Sequence, residues 1–263
     1  MNKIQVKLIG IDDIAINTEI ACKMTRAGNS LEDIEKFINN LGNFNEDKVN
    51  EMLKLPHSKI SRFTTMKFLI VGASRRFLSQ LITHHVGVDI MSGSLQYSDH
   101  SKKYLDDMFV VPYNLLAVNE EDEIQAYKDK LKEMHKFYET IIEAGYTNDD
   151  AGYAMPMALR NCLFVQINLE ALKWIGNQRL CKRNTDETSY VIGRMIEELI
   201  NVTDIDDSLF MPTCYHSHCQ EGKYCCGKPI NKNYSIEPLT GMIIDYEPCT
   251  IKQYLDERFV AIR

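Results

Sequence analysis

The chain has 263 residues, 44% of them hydrophobic, enough to bury a core as one large domain or two small ones. Its formal charge of -7, from 30 basic and 37 acidic side chains, argues against broad binding to nucleic acid or an anionic membrane, but a local arginine cluster could still hold one phosphate. No run approaches the ~18 apolar residues of a membrane span, and MNKIQVKLIG reads as a strand instead of a signal peptide, so a soluble cytoplasmic protein is expected.

In chain order, Lys3 to Ile9 alternates well enough for a first strand, and Asp12-Asp13 can open a helix reaching about Met24. Ser30 is an N-cap for a helix whose apolar side is Ile34, Phe37 and Ile38; Asn45 to Leu53 reads as the next helix. Ser61 to Val71 is rich in aromatic and β-branched residues and predicts a strand, with a helix over Gly72 to Thr83 after it. Beyond His84-His85 the periodicity breaks. Asp89, Ser92, Gly93, Ser94, Gln96, Tyr97, Ser98, Asp99 and His100 form a dense polar stretch, which suits either a ligand-lining loop or an ordinary surface loop.

Met108 to Val111 is a short strand-like run closed by Pro112. Glu120 to Ala144 is the clearest helix: Ile124, Tyr127, Leu131, Met134, Tyr138 and Ile141 recur every three or four residues, and Gly145 ends it. Asp149-Asp150 can open a short helix, Asn161 to Ile167 predicts a buried strand, and Asn168 caps a helix to about Gln178. Another helix spans Asp186 to Ile200. Between these two, Arg179, Lys182 and Arg183 form the strongest positive cluster, which reads as a solvated face or as an anion clamp. Strands mixed with long helices, without a repeated strand-helix unit, indicate an α+β fold; no dinucleotide fingerprint or GxxxxGK loop is present.

Eight cysteines in such a chain point to thiols or a metal, not to a disulfide framework. Cys22, Cys162 and Cys181 fall in patterned regions and Cys249 stands alone, whereas Cys214, Cys219, Cys225 and Cys226 crowd together with His216 and His218. Thiolate and imidazole suit zinc, so Cys214, Cys219 and Cys226 with one of Cys225, His216 or His218 could close a tetrahedral structural site. Free thiols or an iron–sulfur cluster are the alternatives. Farther on, Met242 to Ile244 and a helical run from Ile251 carry no chemical motif.

The order of these pieces resembles one family, the flavin-dependent thymidylate synthases. His57, the strand around Phe68, Gly72, Ser74-Arg75, Gln80 and His84 follow its lead-in to an Arg-His-Arg signature, and Ser94, Gln96 and Tyr97 stand where that signature closes. Tyr153, Met155-Pro156, Asn168, Leu172, Arg179, Arg183 and Glu187 match its second half, and the cysteine tail is similar to one carried by a subset of members. The chain departs from the pattern at several cations: Thr83 and His85 replace the signature arginines, and Gln96, Gly152 and Glu170 replace three others. Phe63 stands for a histidine, and Val88 and Asp89 disturb the positions after the triplet.

The resemblance implies mixed helices with an antiparallel sheet. A nucleotide and flavin domain would occupy residues 1–210, followed by a cysteine-rich tail over 211–263. It implies methylation of dUMP to dTMP with methylenetetrahydrofolate, FAD and NADPH, with another pyrimidine nucleotide, or nucleotide binding without catalysis, as alternatives. Arg179, Ser94, Gln96 and Tyr97 would hold the nucleotide, and His84, Gln80, Asn168 and Arg183 the flavin. A homotetramer with sites shared between subunits is expected, with no nucleic-acid or membrane partner. Arg179 and the Ser94–Tyr97 loop should then meet, within a subunit or across a contact, around one nucleotide.

Overall fold

The computed structural model describes residues 4–101, 108–215, 219–227, 234–236, 243–246 and 249–262. Four strands form one antiparallel sheet: β1 (Gln5–Ile11), β2 (Thr65–Ser74), β3 (Val88–Ser92) and β4 (Arg160–Asn168), in the order β1-β2-β4-β3. A separate hairpin joins β5 (Tyr234–Ile236) to β6 (Ile243–Tyr246). The helices are α1 (Ile14–Lys23), α2 (Leu31–Asn39), α3 (Glu46–Lys54), α4 (Lys59–Arg62), α5 (Arg75–Leu81), α6 (Tyr113–Val118), α7 (Glu121–Glu143) and α8 (Asn148–Gly152). They continue with α9 (Leu169–Arg179), α10 (Asp186–Ile200) and α11 (Ile251–Arg258). Among the described residues, no helix is long and apolar enough to cross a membrane.

Strand periodicity places the core. Met66, Phe68 and Ile70 of β2 and Leu163, Val165 and Ile167 of β4 turn to one face and are buried together. Against that face lie Leu169, Leu172 and Ile175 of α9 and Val191, Met195 and Leu199 of α10, which are fully buried. Ile251, Tyr254 and Leu255 of α11, with Phe259, belong to the same core. A smaller cluster of Met108, Phe109, Leu131 and Leu159 packs under α7. Of the stripe expected on α7, Leu131 and Tyr138 are buried and the rest half-buried; beside it His135, outside that stripe, has a buried ring hydrogen-bonded through Nε2 to the His100 carbonyl at 2.9 Å and stacked on Tyr138.

Three expectations about elements need correction. Residues 59–62 are helical and β2 starts at Thr65. It runs past Val71 through a bulge at Gly72, whose φ of 86° suits glycine, so the next helix begins only at Arg75. The polar stretch hides an edge strand: Val88 and Ile90 turn inward while Asp89 and Met91 face out, a two-residue alternation too short to stand out from its polar neighbours. Ser30 is the N-cap of α2 as expected and forms a capping box with Asp33, yet none of that helix's apolar residues is fully buried.

Candidate functional site

The sheet has two polar ends, and the expected site residues divide between them. At one end, α9 leaves β4 through Asn168, whose side-chain oxygen accepts the Ala171 N–H at 2.8 Å, while its backbone N–H donates to Gly87 at 2.9 Å. The last turn of α9 carries Arg179 to the chain that follows α5. There Nε and Nη2 of Arg179 lie 3.0 and 2.8 Å from Nε2 of His84. Two guanidinium donors aimed at one ring nitrogen require a lone pair on it, so His84 is neutral and carries its proton on Nδ1. Burial, and then the charges of Arg179 and His85, push its pKa below the ordinary histidine value.

Arg179 is half-buried, which lowers its own pKa, and among the described residues no carboxylate pairs with it. Its other contacts are neutral: Nη1 reaches Asn184 Oδ1 at 3.4 Å, and its carbonyl accepts from the Ser189 hydroxyl at 2.6 Å. A cation held this way can receive an anion or a polarised carbonyl. Gln80 stands nearby on α5, its side-chain oxygen 3.0 Å from the Thr185 hydroxyl and 2.5 Å from that of Thr188. Arg183 turns away from this group, donating to the Tyr224 carbonyl and lying over its ring at 5.8 Å.

Between the two ends, Glu187 on α10 accepts the Ser74 N–H at 2.6 Å and its hydroxyl at 2.5 Å, while Ser74 caps α5 by accepting the Phe77 N–H at 3.1 Å. This clamp fixes α5, and with it Gln80, against α10. Nothing in the sequence pairs residues 74 and 187.

At the other end stands the Ser94–Tyr97 loop. Ser94 Oγ accepts the Gln96 N–H at 3.1 Å, and the Tyr97 side chain is 83% exposed, available to a ligand or a second chain. Arg160 and Asn161, which the sequence alone does not single out, lie beside it at the start of β4; an arginine directly before the apolar alternation of Leu163, Val165 and Ile167 is the available signal. Within one chain this loop and Arg179 do not meet. His84 lies before β3 and Ser94 after it, and five extended residues span about 17 Å.

The cysteine tail is placed in part. All eight cysteines are free thiols. Cys214 is buried; Cys219 has its pKa lowered by a backbone hydrogen bond at Glu221 but raised overall by burial, by Cys225 and by Cys181. Among the described residues, Cys214, Cys219, Cys225 and Cys226 included, no group of three or more Cys, His, Asp or Glu side chains is placed to hold a metal; His216 and His218 lie outside the described residues.

The fold and this polar frame define an α+β protein with cationic sites at both ends of an antiparallel sheet. Residues 12–203 match the family model of the Thy1 thymidylate synthase complementing proteins, and the chain belongs to that family, the flavin-dependent thymidylate synthases. The flavin-dependent thymidylate synthase of Pyrococcus abyssi is 28% identical over 159 residues, which are 59% of this chain and 64% of that protein, just under two thirds of its length. That of Thermococcus kodakarensis is 27% identical over 180 residues, 64% of this chain and 69% of the relative.

Two solved structures share the fold. Thymidylate synthase X from Helicobacter pylori, with FAD and dUMP, superposes with a TM-score of 0.56 at 16% identity over 74% of this chain and 92% of that one. The UMP/dUMP methylase PolB from Streptomyces cacaoi, bound with 5-Br dUMP, gives a TM-score of 0.58 at 14% identity over 76% and 91%. The expected α+β architecture with mixed helices and an antiparallel sheet is borne out.

Proposed function

We propose that this protein catalyses flavin-dependent reductive methylation of a pyrimidine deoxynucleotide, dUMP to dTMP. Methylenetetrahydrofolate would give the one-carbon unit and NADPH the electrons. The observation that carries this reading is Arg179, a half-buried guanidinium with no carboxylate partner among the described residues, set against a neutral His84. A permanent cation in that setting can hold the ring carbonyl of the pyrimidine and stabilise charge developing on it. Family membership and the nucleotide complexes of the two fold neighbours support the substrate class.

Since β3 separates Arg179 from the Ser94–Tyr97 loop, the site is completed by a second copy of the chain, in a homotetramer. Support comes from the outer face of the sheet, where Leu69, Val71, Met91 and Phe164 lie exposed where a solvated sheet carries polar residues.

The flavin assignment rests on a partial fit. His84, with its proton on Nδ1, and the amide of Asn168, beside Gly87, offer hydrogen-bonding groups for the edge of a flat heterocycle. Gln80 and Arg183 are engaged elsewhere in the fold. Glu170 occupies the first turn of α9 with its buried Oε2 3.6 Å from Lys173 Nζ, so that helix end is already supplied with a negative charge and does not receive a diphosphate. The ring of FAD is the part of the cofactor that His84 and Asn168 would hold. When bound, a reduced flavin supplies the hydride that completes the methyl group.

The test is the absorbance spectrum of the protein as isolated and after saturation with FAD, followed by turnover of dUMP and UMP. Bound flavin, and turnover lost in Arg179→Ala, are expected. Protein that never takes up flavin overturns the reading. Gln96, Gly152 and Glu170, with the UMP/dUMP activity named for PolB, favour a second reading in which another pyrimidine nucleotide is the substrate; faster turnover of UMP than of dUMP selects it. Nucleotide binding with bound flavin but no turnover would leave the non-catalytic alternative.

A further inference from the structure

The carboxyl ends of β2 and β3 and the amino end of β4 meet at one end of the sheet, around a cavity of about 400 Å³. Arg75, Arg160 and Asn161 bring donors to its wall, beside Ser94, Ser98 and His100. Arg160 donates through Nε to the Phe109 carbonyl at 3.2 Å and through Nη1 to that of Gly72 at 2.8 Å, which fixes the plane of its fork. Arg75 donates through Nη2 to the Gly93 carbonyl at 3.0 Å, and among the described residues its buried Nε has no hydrogen-bond partner. Asn161 is 8% exposed; its Oδ1 accepts the Cys162 N–H at 2.8 Å, and its buried Nδ2 has no hydrogen-bond partner among the described residues. Gly93 permits this packing, because a Cβ there would stand 2.8 Å from Asn161 Oδ1.

The charge balance points the same way. Among the described residues neither Arg75 nor Arg160 forms an ion pair with a carboxylate. Glu187 is close enough to raise the pKa of Arg160 against the effect of burial, but its two oxygens already take both Ser74 donors. Buried donors without acceptors are costly, and two guanidinium groups beside one carboxylate leave net positive charge. The complementary ligand is an anion made only of acceptors.

We propose that this cavity binds the phosphate monoester of the nucleotide, with Arg160, Arg75 and the Asn161 amide as donors and Ser94 at the rim. This rests on the pyrimidine-nucleotide reading above and deepens it. Ser94 belongs both to the cavity and to the loop expected to hold the nucleotide. Positions 96 and 152, cationic in the family this chain resembles, carry no charge here, and Arg160 brings a cation to the same loop from β4.

The test is isothermal titration of the full chain, saturated with FAD, with dUMP, UMP, deoxyuridine and inorganic phosphate. Asn161→Asp keeps the oxygen that accepts from Cys162 and turns the free amide into a carboxylate facing the anion; Arg160→Met removes one fork. Thermal melts of both variants report folding. The wild type prefers dUMP to deoxyuridine, and each variant loses roughly 10- to 100-fold in dUMP affinity, the worth of one or two charge-assisted hydrogen bonds, with deoxyuridine affinity unchanged. A folded Asn161→Asp that binds dUMP like the wild type overturns the proposal. If no pyrimidine nucleotide binds, the nucleotide reading fails by itself. The cavity is then judged by ³¹P line broadening of inorganic phosphate: broadening by the wild type and not by Asn161→Asp keeps it as a phosphate site, and no broadening overturns it.

Discussion

Arg179 and His84, 95 residues apart in the chain, are joined by two guanidinium donors converging on a single imidazole nitrogen. The arrangement holds only while His84 is neutral, since a protonated ring would set a positive charge against Arg179. The pKa of His84 is lowered in the fold, so below about pH 6.5 the unfolded chain takes up a proton there that the native state refuses. Stability from this group is therefore complete above pH 6.5 and falls as the pH drops below it. The expected result is a melting temperature that declines between pH 7 and 5, with a shallower decline in His84→Gln. Parallel profiles would contradict it.

The same contact makes a spectroscopic prediction. Burial is the first cause of the lowered pKa and Arg179 the second, so Arg179→Met raises the His84 pKa without restoring it fully to the free-histidine value. An NMR titration of the imidazole carbon-bound protons follows it directly. Arg179→Lys keeps the charge and loses the fork, so it should leave His84 depressed while weakening nucleotide binding.

Glu187 and Ser74 carry the third prediction. In Glu187→Gln one end of the side chain becomes a donor, and it meets a Ser74 N–H or O–H that needs an acceptor. Hydrogen bonds to a charged group are worth about 1.5–3 kcal/mol, and Glu187→Gln should lower unfolding stability by that order in urea titrations. Because Ser74 also caps α5, the loss should extend to amide exchange protection over Phe77 to Leu81.

These relationships separate what the sequence carries from what it does not. The bounds of α10 follow from an apolar face repeating over four turns, and the cap of α9 from an asparagine before a helix. Local rules suffice for both. The edge strand β3 escaped because its inward pair, Val88 and Ile90, sits among polar residues, so no window long enough to show alternation exists. Arg179 with His84 and Ser74 with Glu187 are products of sheet order, which brings residues about a hundred positions apart into contact and leaves no local trace. Sheet order also explains the placement of Ser94. Both ends of β3 look equally polar in sequence, and only its pairing with β4 shows that they lie at opposite ends of the sheet.

The outer face of the sheet yields the last prediction. On β2 the outward residues after Lys67 are Leu69 and Val71, on β4 Phe164, and on β3 Met91, all exposed in the single chain. An antiparallel sheet can leave one face in water, but that face is normally polar, and removing apolar surface from water is favourable at about 25 cal/mol per Å². A contact between copies would give these side chains a place and would let the Ser94–Tyr97 loop of one chain approach Arg179 of another. Phe164→Glu puts a charge at the centre of that face without touching the inward core, where Leu163 and Val165 are buried. Light scattering after gel filtration should show the wild type as an oligomer and Phe164→Glu as a smaller species, with nucleotide turnover falling together with assembly. A monomeric wild type would remove the shared site, and an oligomeric Phe164→Glu with full turnover would move the contact to another surface.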